Sequence, residues 1–186
     1  MMPGITSILL LIAMQAGIGA GAAAPLPPER SVGIDQIGDA HVAVTRETGT
    51  GGVVLIDQDG DSNMATVIQS VPSSDNRPDD GAEASVAIYQ RGSGNAASVQ
   101  QFGVHGMLKV ATLSQDGSNN IMRLEQSGGG NRAELEQTGD GNAMDARQIG
   151  NDNTLRWTQT GSGLPDLGIT QTGGQRMAIS QTGPGR

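Results

Sequence analysis

The chain has 186 residues and a formal net charge of −8, with 29 Gly, no Cys and one residue each of Trp, Tyr and Phe. A conventional globular core is built from many large apolar and aromatic side chains, which are scarce here, and no disulfide can replace them. The 11 Lys and Arg residues are dispersed along an acidic chain. Nucleic-acid binding requires clustered cations, so that class of partner is excluded.

The N-terminal segment is typical of a signal peptide. An apolar run over 8–14 is too short to span a bilayer, and the small residues of 17–24 suit a cleavage region. Ala20, Gly21 and Ala22 fit the A-x-A cleavage rule. We therefore predict a signal peptide over 1–22, cut before Ala23, and a short export or linker segment over 23–31. No long apolar run follows residue 24, so the mature chain is expected to have no transmembrane segment.

A repeat of Gln, Gly and Asn occupies the rest of the chain. Within each group Gln recurs with a step of 11, at Gln58 and Gln69, Gln90 and Gln101, then Gln115, Gln126, Gln137, Gln148 and Gln159, with weaker copies at Gln171 and Gln181. Gly stands two residues after Gln at Gly60, Gly92, Gly103, Gly117, Gly128, Gly139, Gly150, Gly161, Gly173 and Gly183. Asn follows at Asn63, Asn95, Asn120, Asn131, Asn142 and Asn153. Such a fixed period is the signature of a repeat architecture.

The spacing inside each repeat favours a β-strand over a helix. Steps of two from Asn131 reach Ala133, Leu135 and Gln137, so one face of the segment is apolar with an amide at each end. The Gly and Asn between segments favour tight turns and positive φ, which would interrupt a helix every 11 residues. We predict short strands joined by Gly/Asn arcs.

Two half-repeats, or 22 residues, make one strand–arc–strand coil. The predicted fold is an all-β, amyloid-like β-solenoid of about six such coils over 32–183, followed by a tail at 184–186. Inward Gln and Asn side chains are expected to stack on their copies in neighbouring coils and form hydrogen-bonded ladders, which replace the missing core.

The pattern breaks at several places. Irregular insertions are predicted at about 45–53 and at 70–83, where Pro and acidic residues gather. The step from Gln101 to Gln115 is 14, which predicts a three-residue bulge near Lys109. His41 stands where the first coil should carry Asn, and we expect an arc position for it.

The segment Ala87–Gln101 resembles the curlin repeat, in which Ser, Gln, Gly, Asn, Ala and Gln recur in fixed order, and 137–142 is similar to its centre. The resemblance extends over about 32–183. It implies an amyloid subunit that passes through a dedicated outer-membrane pore and polymerises with other curlin subunits on the cell surface. Such fibres serve adhesion and biofilm matrix. Ala84 replaces the family's Ser, charged residues such as Arg123 and Glu134 lie on strand positions, and the loops are irregular, so a minor, nucleator-like subunit is an alternative to a major one.

No catalytic constellation, cofactor site or metal site is predicted. Only two His are present and no Ser or Cys is spaced with a base and an orienting acid. Turns such as 139–142 are similar to calcium-binding repeats, but the acids do not recur in register. A monomeric secreted solenoid that binds a surface, a ligand or calcium remains the alternative to a fibre protein.

Overall fold

The computed structural model describes residues 9–14, 31–49, 52–71, 84–103 and 107–183, which form fourteen β-strands and no helix. The strands are β1 (Leu9–Met14), β2 (Ser31–Asp39), β3 (Val42–Gly49), β4 (Gly52–Asp61), β5 (Met64–Val71), β6 (Ala84–Ser93), β7 (Ala96–Phe102), β8 (Lys109–Ser118), β9 (Ile121–Ser127), β10 (Arg132–Thr138), β11 (Ala143–Ile149), β12 (Thr154–Thr160), β13 (Leu167–Thr172) and β14 (Arg176–Thr182).

The strands alternate between two parallel sheets. The odd-numbered strands β1 to β13 form one seven-stranded sheet, here the odd sheet, and β2 to β14 form the other, the even sheet. Each strand pairs with the strand two further along the chain, so each even–odd pair is one coil and successive coils stack on one another. In the regular part the register joins residues 22 apart, such as Ala111 with Ala133 and Ala133 with Leu155. The predicted β-solenoid of about six coils is confirmed.

The interior is a narrow layer of stacked aliphatic rows between the two sheets. Period two places every second residue inside, and register holds each row in line over all coils. One row of the even sheet contains Ile34, Ile56, Ile88, Leu113, Leu135, Trp157 and Ile179. The five middle members from Ile56 to Trp157 are buried, whereas the two end members are only partly buried. The core is therefore continuous along the solenoid and opens at both ends.

Strand β1 lies within the segment that the sequence assigns to a signal peptide. It extends the odd sheet by pairing in parallel with β3, from Leu9 opposite Val42 to Met14 opposite Glu47. The signal peptide itself stays a prediction, and most of the 23–31 linker lies outside the described residues. Across the described ranges the structure holds no helix with the length and hydropathy of a membrane span.

The predicted irregular stretch at 45–53 is wrong in extent, because residues 45–49 continue β3 and residues 52 and 53 begin β4. Every second residue still points inward there, namely His41, Ala43, Thr45 and Glu47. Three of these four are polar, so the sequence pattern did not indicate a strand. The predicted 70–83 insertion shortens similarly, since β5 runs to Val71. Residues 72–83 and the centre of the predicted bulge, 104–106, lie outside the described part. All three breaks fall between an odd strand and the next even strand.

Candidate functional site

A ladder of glutamine side chains runs the length of the even sheet. In each step the Nε2 of one Gln donates to the Oε1 of the Gln in the next coil, towards the C-terminus. The distances are 2.6 Å from Gln36 to Gln58, 2.7 Å to Gln90, 2.8 Å to Gln115, 3.0 Å to Gln137, 2.9 Å to Gln159 and 2.6 Å to Gln181. Every bond has the same direction, so the ladder has a defined polarity, and its amide NH2 groups point to the C-terminal end.

The odd sheet carries a parallel ladder of the same polarity. Its steps measure 3.0 Å from Gln69 to Gln101, 2.7 Å to Gln126, 2.8 Å to Gln148 and 2.8 Å to Gln171. Glu47 occupies the Gln position of the first coil, opposite Gln69 in the strand register, and is 7 % exposed. The N-terminal end of this ladder is therefore a carboxyl group, which sequence reasoning missed because it placed residue 47 in a loop.

The second amide hydrogen of most ladder residues crosses the interior. Gln148 Nε2 donates to the carbonyl oxygen of Arg132 at 3.0 Å, and Gln126 Nε2 donates to that of Val110 at 3.2 Å. The accepting carbonyl belongs to the first or second residue of the preceding strand, which lies in the other sheet. These ladder amides thus join their neighbours along the axis and tie the two sheets together. A buried amide with both hydrogens bonded carries no desolvation penalty for an unmade bond.

Asparagine side chains form similar hydrogen bonds between neighbouring coils in the arcs. The backbone N–H of Asn95 donates to Asn63 Oδ1 at 3.0 Å, and the Asn63 Nδ2 donates to the carbonyl oxygen of Gly92 in the next coil at 2.9 Å. Asn95, Asn120 and Asn142 repeat this in the even-to-odd arcs, and Asn131 does so in the odd-to-even arcs. Asn153 differs, because its Nδ2 donates to Asn131 Oδ1 at 3.1 Å, while its Oδ1 accepts the backbone N–H of Gln175 at 3.1 Å. All six predicted Asn residues are buried.

The arc glycines meet two separate demands. Gly117 has φ +123° and Gly139 has φ +116°, in the region that disfavours a side chain. A Cβ on Gly117 would also overlap the carbonyl oxygen of Gly139 in the next coil. Positive φ is shared by Gly60, Gly92, Gly117, Gly128, Gly139, Gly150, Gly161 and Gly173. Gly103 and Gly183 lack it, and a Cβ on these would meet the side chains of Lys109 and Leu164 instead.

His41 replaces Asn in the first arc by copying its hydrogen bonds. Its Nδ1 accepts the backbone N–H of Asn63 at 3.3 Å, and its Nε2 lies 3.0 Å from the carbonyl oxygen of Ile37, four residues earlier. The same i−4 carbonyl accepts a hydrogen bond from the side chains of Asn63, Asn95, Asn131 and Asn153. The ring is 4 % exposed, and both contacts are made by the neutral tautomer with hydrogen on Nε2.

Lys109 is a second substitution that sequence reasoning did not place. The strand register aligns it with the position before Arg132, which is Asn131, so a lysine fills an arc-asparagine site. It is fully buried, and its Nζ lies 3.5 Å from the carbonyl oxygen of Met107. The sequence signal was the 14-residue step between Gln101 and Gln115, which marked the place without revealing that the lysine turns inward.

The outer faces carry alternating polar residues with ion pairs between coils. Arg147 and Glu125 approach to 2.7 Å on the odd sheet, and Arg156 and Glu134 to 3.7 Å on the even sheet. All four side chains are at least a third exposed, so these pairs contribute little to stability. Among the described residues no group of three or more His, Cys, Asp or Glu is placed to hold a metal ion.

Both ends of the solenoid expose inward positions of the repeat. At the C-terminal end Leu167 is 39 % and Met177 is 36 % exposed, although their counterparts in earlier coils are buried. At the N-terminal end Val32 and Ile34 of β2 are only partly buried. The interior rows and the amide ladders therefore reach the surface at the two ends, which are strand edges with unfilled pairing capacity.

Comparison with known proteins agrees with the repeat. Two overlapping segments, residues 110–139 and 123–150, match the profile of the curlin associated repeat. They lie over β8 to β11, the most regular coils. No curated protein and no solved structure matches the chain.

Proposed function

Since this chain is a member of the curlin-repeat family, we propose that it is a structural subunit of a secreted, curli-like amyloid fibre that grows by stacking solenoid coils end to end. A curli-type structural role in general follows from the repeat and the β-solenoid fold. The observation that supports fibre assembly is the unbroken, unidirectional amide ladder from Gln36 to Gln181.

Because both ladders run in the same direction, the C-terminal end of the solenoid presents ladder donors and the N-terminal end presents ladder acceptors. The last member, Gln181, is half-buried at the C-terminal end with its Nε2 on the outer side of the ladder bond. The Oε1 of the first member, Gln36, points to the N-terminal end, because its Nε2 donates a hydrogen bond to Gln58. Stacking one molecule on another joins a donor to an acceptor and buries the exposed inward aliphatics. Hydrophobic burial favours this at about 25 cal/mol per Å² of apolar surface.

The cellular setting forms part of the same proposal. Residues 1–22 direct the chain to export, and an outer-membrane pore of the curli type then releases it to the cell surface. There it polymerises, alone or with other curlin subunits, into fibres for adhesion and biofilm matrix. Support comes from the apolar and small-residue pattern of 1–24 and from the family of the repeat.

The test is polymerisation of the processed chain, residues 23–186. We expect thioflavin-positive fibres with a diffraction reflection near ~4.7 Å, and growth that preformed fibres accelerate. A chain that stays monomeric at high concentration in the presence of seeds contradicts the proposal and favours the monomeric binding solenoid. Fibres that form only when seeds of another curlin are added contradict a self-sufficient subunit.

A matched pair of variants locates growth at the C-terminal end. Ile179→Lys puts a charge on the half-buried inner row of β14, where the next molecule would cover it, and is expected to stop elongation. Ala178→Lys makes the same change on the adjacent outward position, which is exposed, and is expected to leave the elongation rate near that of the parent. Equal effects of the two changes would show that the inner row is not an assembly surface.

A further inference from the structure

The number of strands determines how successive molecules can meet. The odd sheet contains β1 to β13 and the even sheet β2 to β14, seven strands each. Removal of the predicted signal peptide takes away β1 and leaves six odd and seven even strands among the described residues. In the part of the processed chain that the structure describes, the first strand, β2, and the last, β14, both lie in the even sheet, so this part contains six and a half coils.

A half coil makes direct, unrotated stacking defective. If the next molecule places its β2 on β14, the even sheet continues. The odd sheet then has an empty position between β13 and the β3 of the next molecule, because the strand that would fill it was β1. The Gln171 Nε2 and the inner side chains of β13 would face that gap. One missing strand at each junction exposes the interior and leaves a row of backbone groups without pairing.

We propose that each processed molecule is turned by about half a turn about the fibre axis relative to the one below it, so that the odd sheet of one molecule continues as the even sheet of the next. In this arrangement β2 of the next molecule pairs with β13, and its β3 pairs with β14. Strands then alternate between the two sheets without a gap. The inference rests on the proposed fibre function and on removal of the signal peptide.

The rotation is possible because the two half-repeats are equivalent. Both sheets present inward residues at the same steps from the ladder Gln, and strands in the two sheets run in opposite directions, so half a turn superimposes one on the other. Ile169 of β13 then stacks on Ile34 of the next molecule, and Ile179 of β14 on Thr45. These aliphatics are the end members that are only partly buried in one molecule.

The amide ladders also continue through the rotated junction. Gln171 Nε2 faces Gln36 Oε1 of the next molecule and exchanges its long 3.4 Å bond to the carbonyl oxygen of Gln175 for a ladder bond. Gln181 Nε2 faces Glu47 of the next molecule. A carboxyl group accepts hydrogen bonds at both oxygens, so Glu47 suits a junction position that Gln fills elsewhere.

The rotated fibre has a distinct symmetry. Thirteen strands occupy six and a half strand spacings, which gives an axial rise of about 31 Å per molecule and a rotation near half a turn plus the intrinsic twist. Unrotated stacking occupies seven spacings, with a rise of about 34 Å and no half turn. Helical reconstruction of the fibre by electron microscopy separates the two.

Cross-linking gives a second test, for which the absence of native Cys is an advantage. In the rotated junction Ser180 of β14 lies beside Arg46 of the next molecule, both on outward positions, and in the unrotated junction it lies beside Asp35. We would build the double variants Arg46→Cys with Ser180→Cys and Asp35→Cys with Ser180→Cys. A positive control is Thr158→Cys with Ser180→Cys, since these two residues are register partners within one molecule.

Fibres of each variant, grown from the secreted chain with cleavage checked by mass, are treated with a short reagent that bridges two thiols about 4.8 Å apart. We expect covalent oligomers from the Arg46/Ser180 pair and only monomers from the Asp35/Ser180 pair on a denaturing gel. The reverse result overturns the rotated junction. So does the absence of oligomers from both pairs while the Thr158/Ser180 control reacts.

The full chain provides an internal comparison. With β1 retained the strand number is even, β1 fills the position next to β13, and the Asp35/Ser180 pair is expected to cross-link instead. The same pairing in both forms would refute the argument from strand number. Absence of fibres from the processed chain would remove the proposed function and this inference together, whereas fibres with the wrong pairing would remove the inference alone.

Discussion

The adjacent residues Gln100 and Gln101 allow a direct test of the buried ladder. Gln101 is fully buried, accepts the Gln69 Nε2 at 3.0 Å and donates to Gln126 Oε1 at 2.7 Å. Gln100 lies on the opposite, outward face of β7 and is half-buried. Replacing each in turn by Leu makes the same chemical change on the two faces of one strand.

The expected cost of Gln101→Leu comes from the partners that it leaves behind. Gln69 loses an acceptor and Gln126 loses a donor, and both side chains are buried. An unsatisfied buried polar group costs about 1–3 kcal/mol, and burial of the Leu side chain offsets part of the sum. We expect a net loss of about 3 kcal/mol for Gln101→Leu. Gln100→Leu leaves the ladder intact and is expected to change stability by less than about 0.5 kcal/mol.

The assay is the concentration of soluble chain that remains when polymerisation reaches its plateau. A loss of about 3 kcal/mol per molecule raises that concentration by about 100-fold, whereas about 0.5 kcal/mol changes it by about twofold. Equal plateau concentrations for the two variants would refute the view that the amide ladder holds the coils together. Electron microscopy of both samples checks that the plateaus refer to fibres of the same form.

Three further predictions concern the arcs and the core. Gly139→Ala is expected to disrupt stacking, because its Cβ would overlap the carbonyl oxygen of Gly161. Gly141→Asn is expected to lower the stability by less than about 1 kcal/mol, since nothing lies near that Cβ and Asn tolerates its φ of +65°. Denaturant midpoints of the two variants measure the difference. His41→Asn is expected to keep hydrogen-exchange protection at the Asn63 amide, and His41→Ala to lose it. Trp157→Phe is expected to cost less than about 2 kcal/mol by fluorescence-independent denaturation, because the buried indole Nε1 has no hydrogen-bond partner among the described residues.

Each of these has a clear contrary outcome. If Gly139→Ala is tolerated as well as Gly141→Asn, the coils stack less closely at the arcs than the structure shows. If His41→Asn and His41→Ala behave alike, the imidazole does not act as an asparagine substitute. A loss above about 4 kcal/mol for Trp157→Phe would mean that the indole N–H is bonded.

Much of the architecture was predictable because a sequence repeat indicates which residues face each other in neighbouring coils. A step of 11 with Gly and Asn after each Gln indicated strand, arc and coil, and period two placed residues such as Val99 and Leu135 in the interior, where the structure has them buried. The resemblance to the curlin repeat rested on the same residues, and the match over 110–150 agrees with it. Prediction was weakest at 45–49, where the polar residues Thr45 and Glu47 occupy inward positions that are apolar in other strands, so the strand was not recognised.

The sequence by itself determined the strands of the regular coils, the direction of their side chains and which amides would stack, since these follow from local spacing and from identical neighbours one coil away. Only the tertiary structure decided the direction of the ladder bonds, the hydrogen bonds by which His41 acts in place of Asn, the inward position of Lys109, and the odd number of described strands after β1. The reason is physical. An amide can donate in either direction along a stack, and a buried His or Lys is acceptable only where carbonyl or N–H groups from distant parts of the chain converge on it.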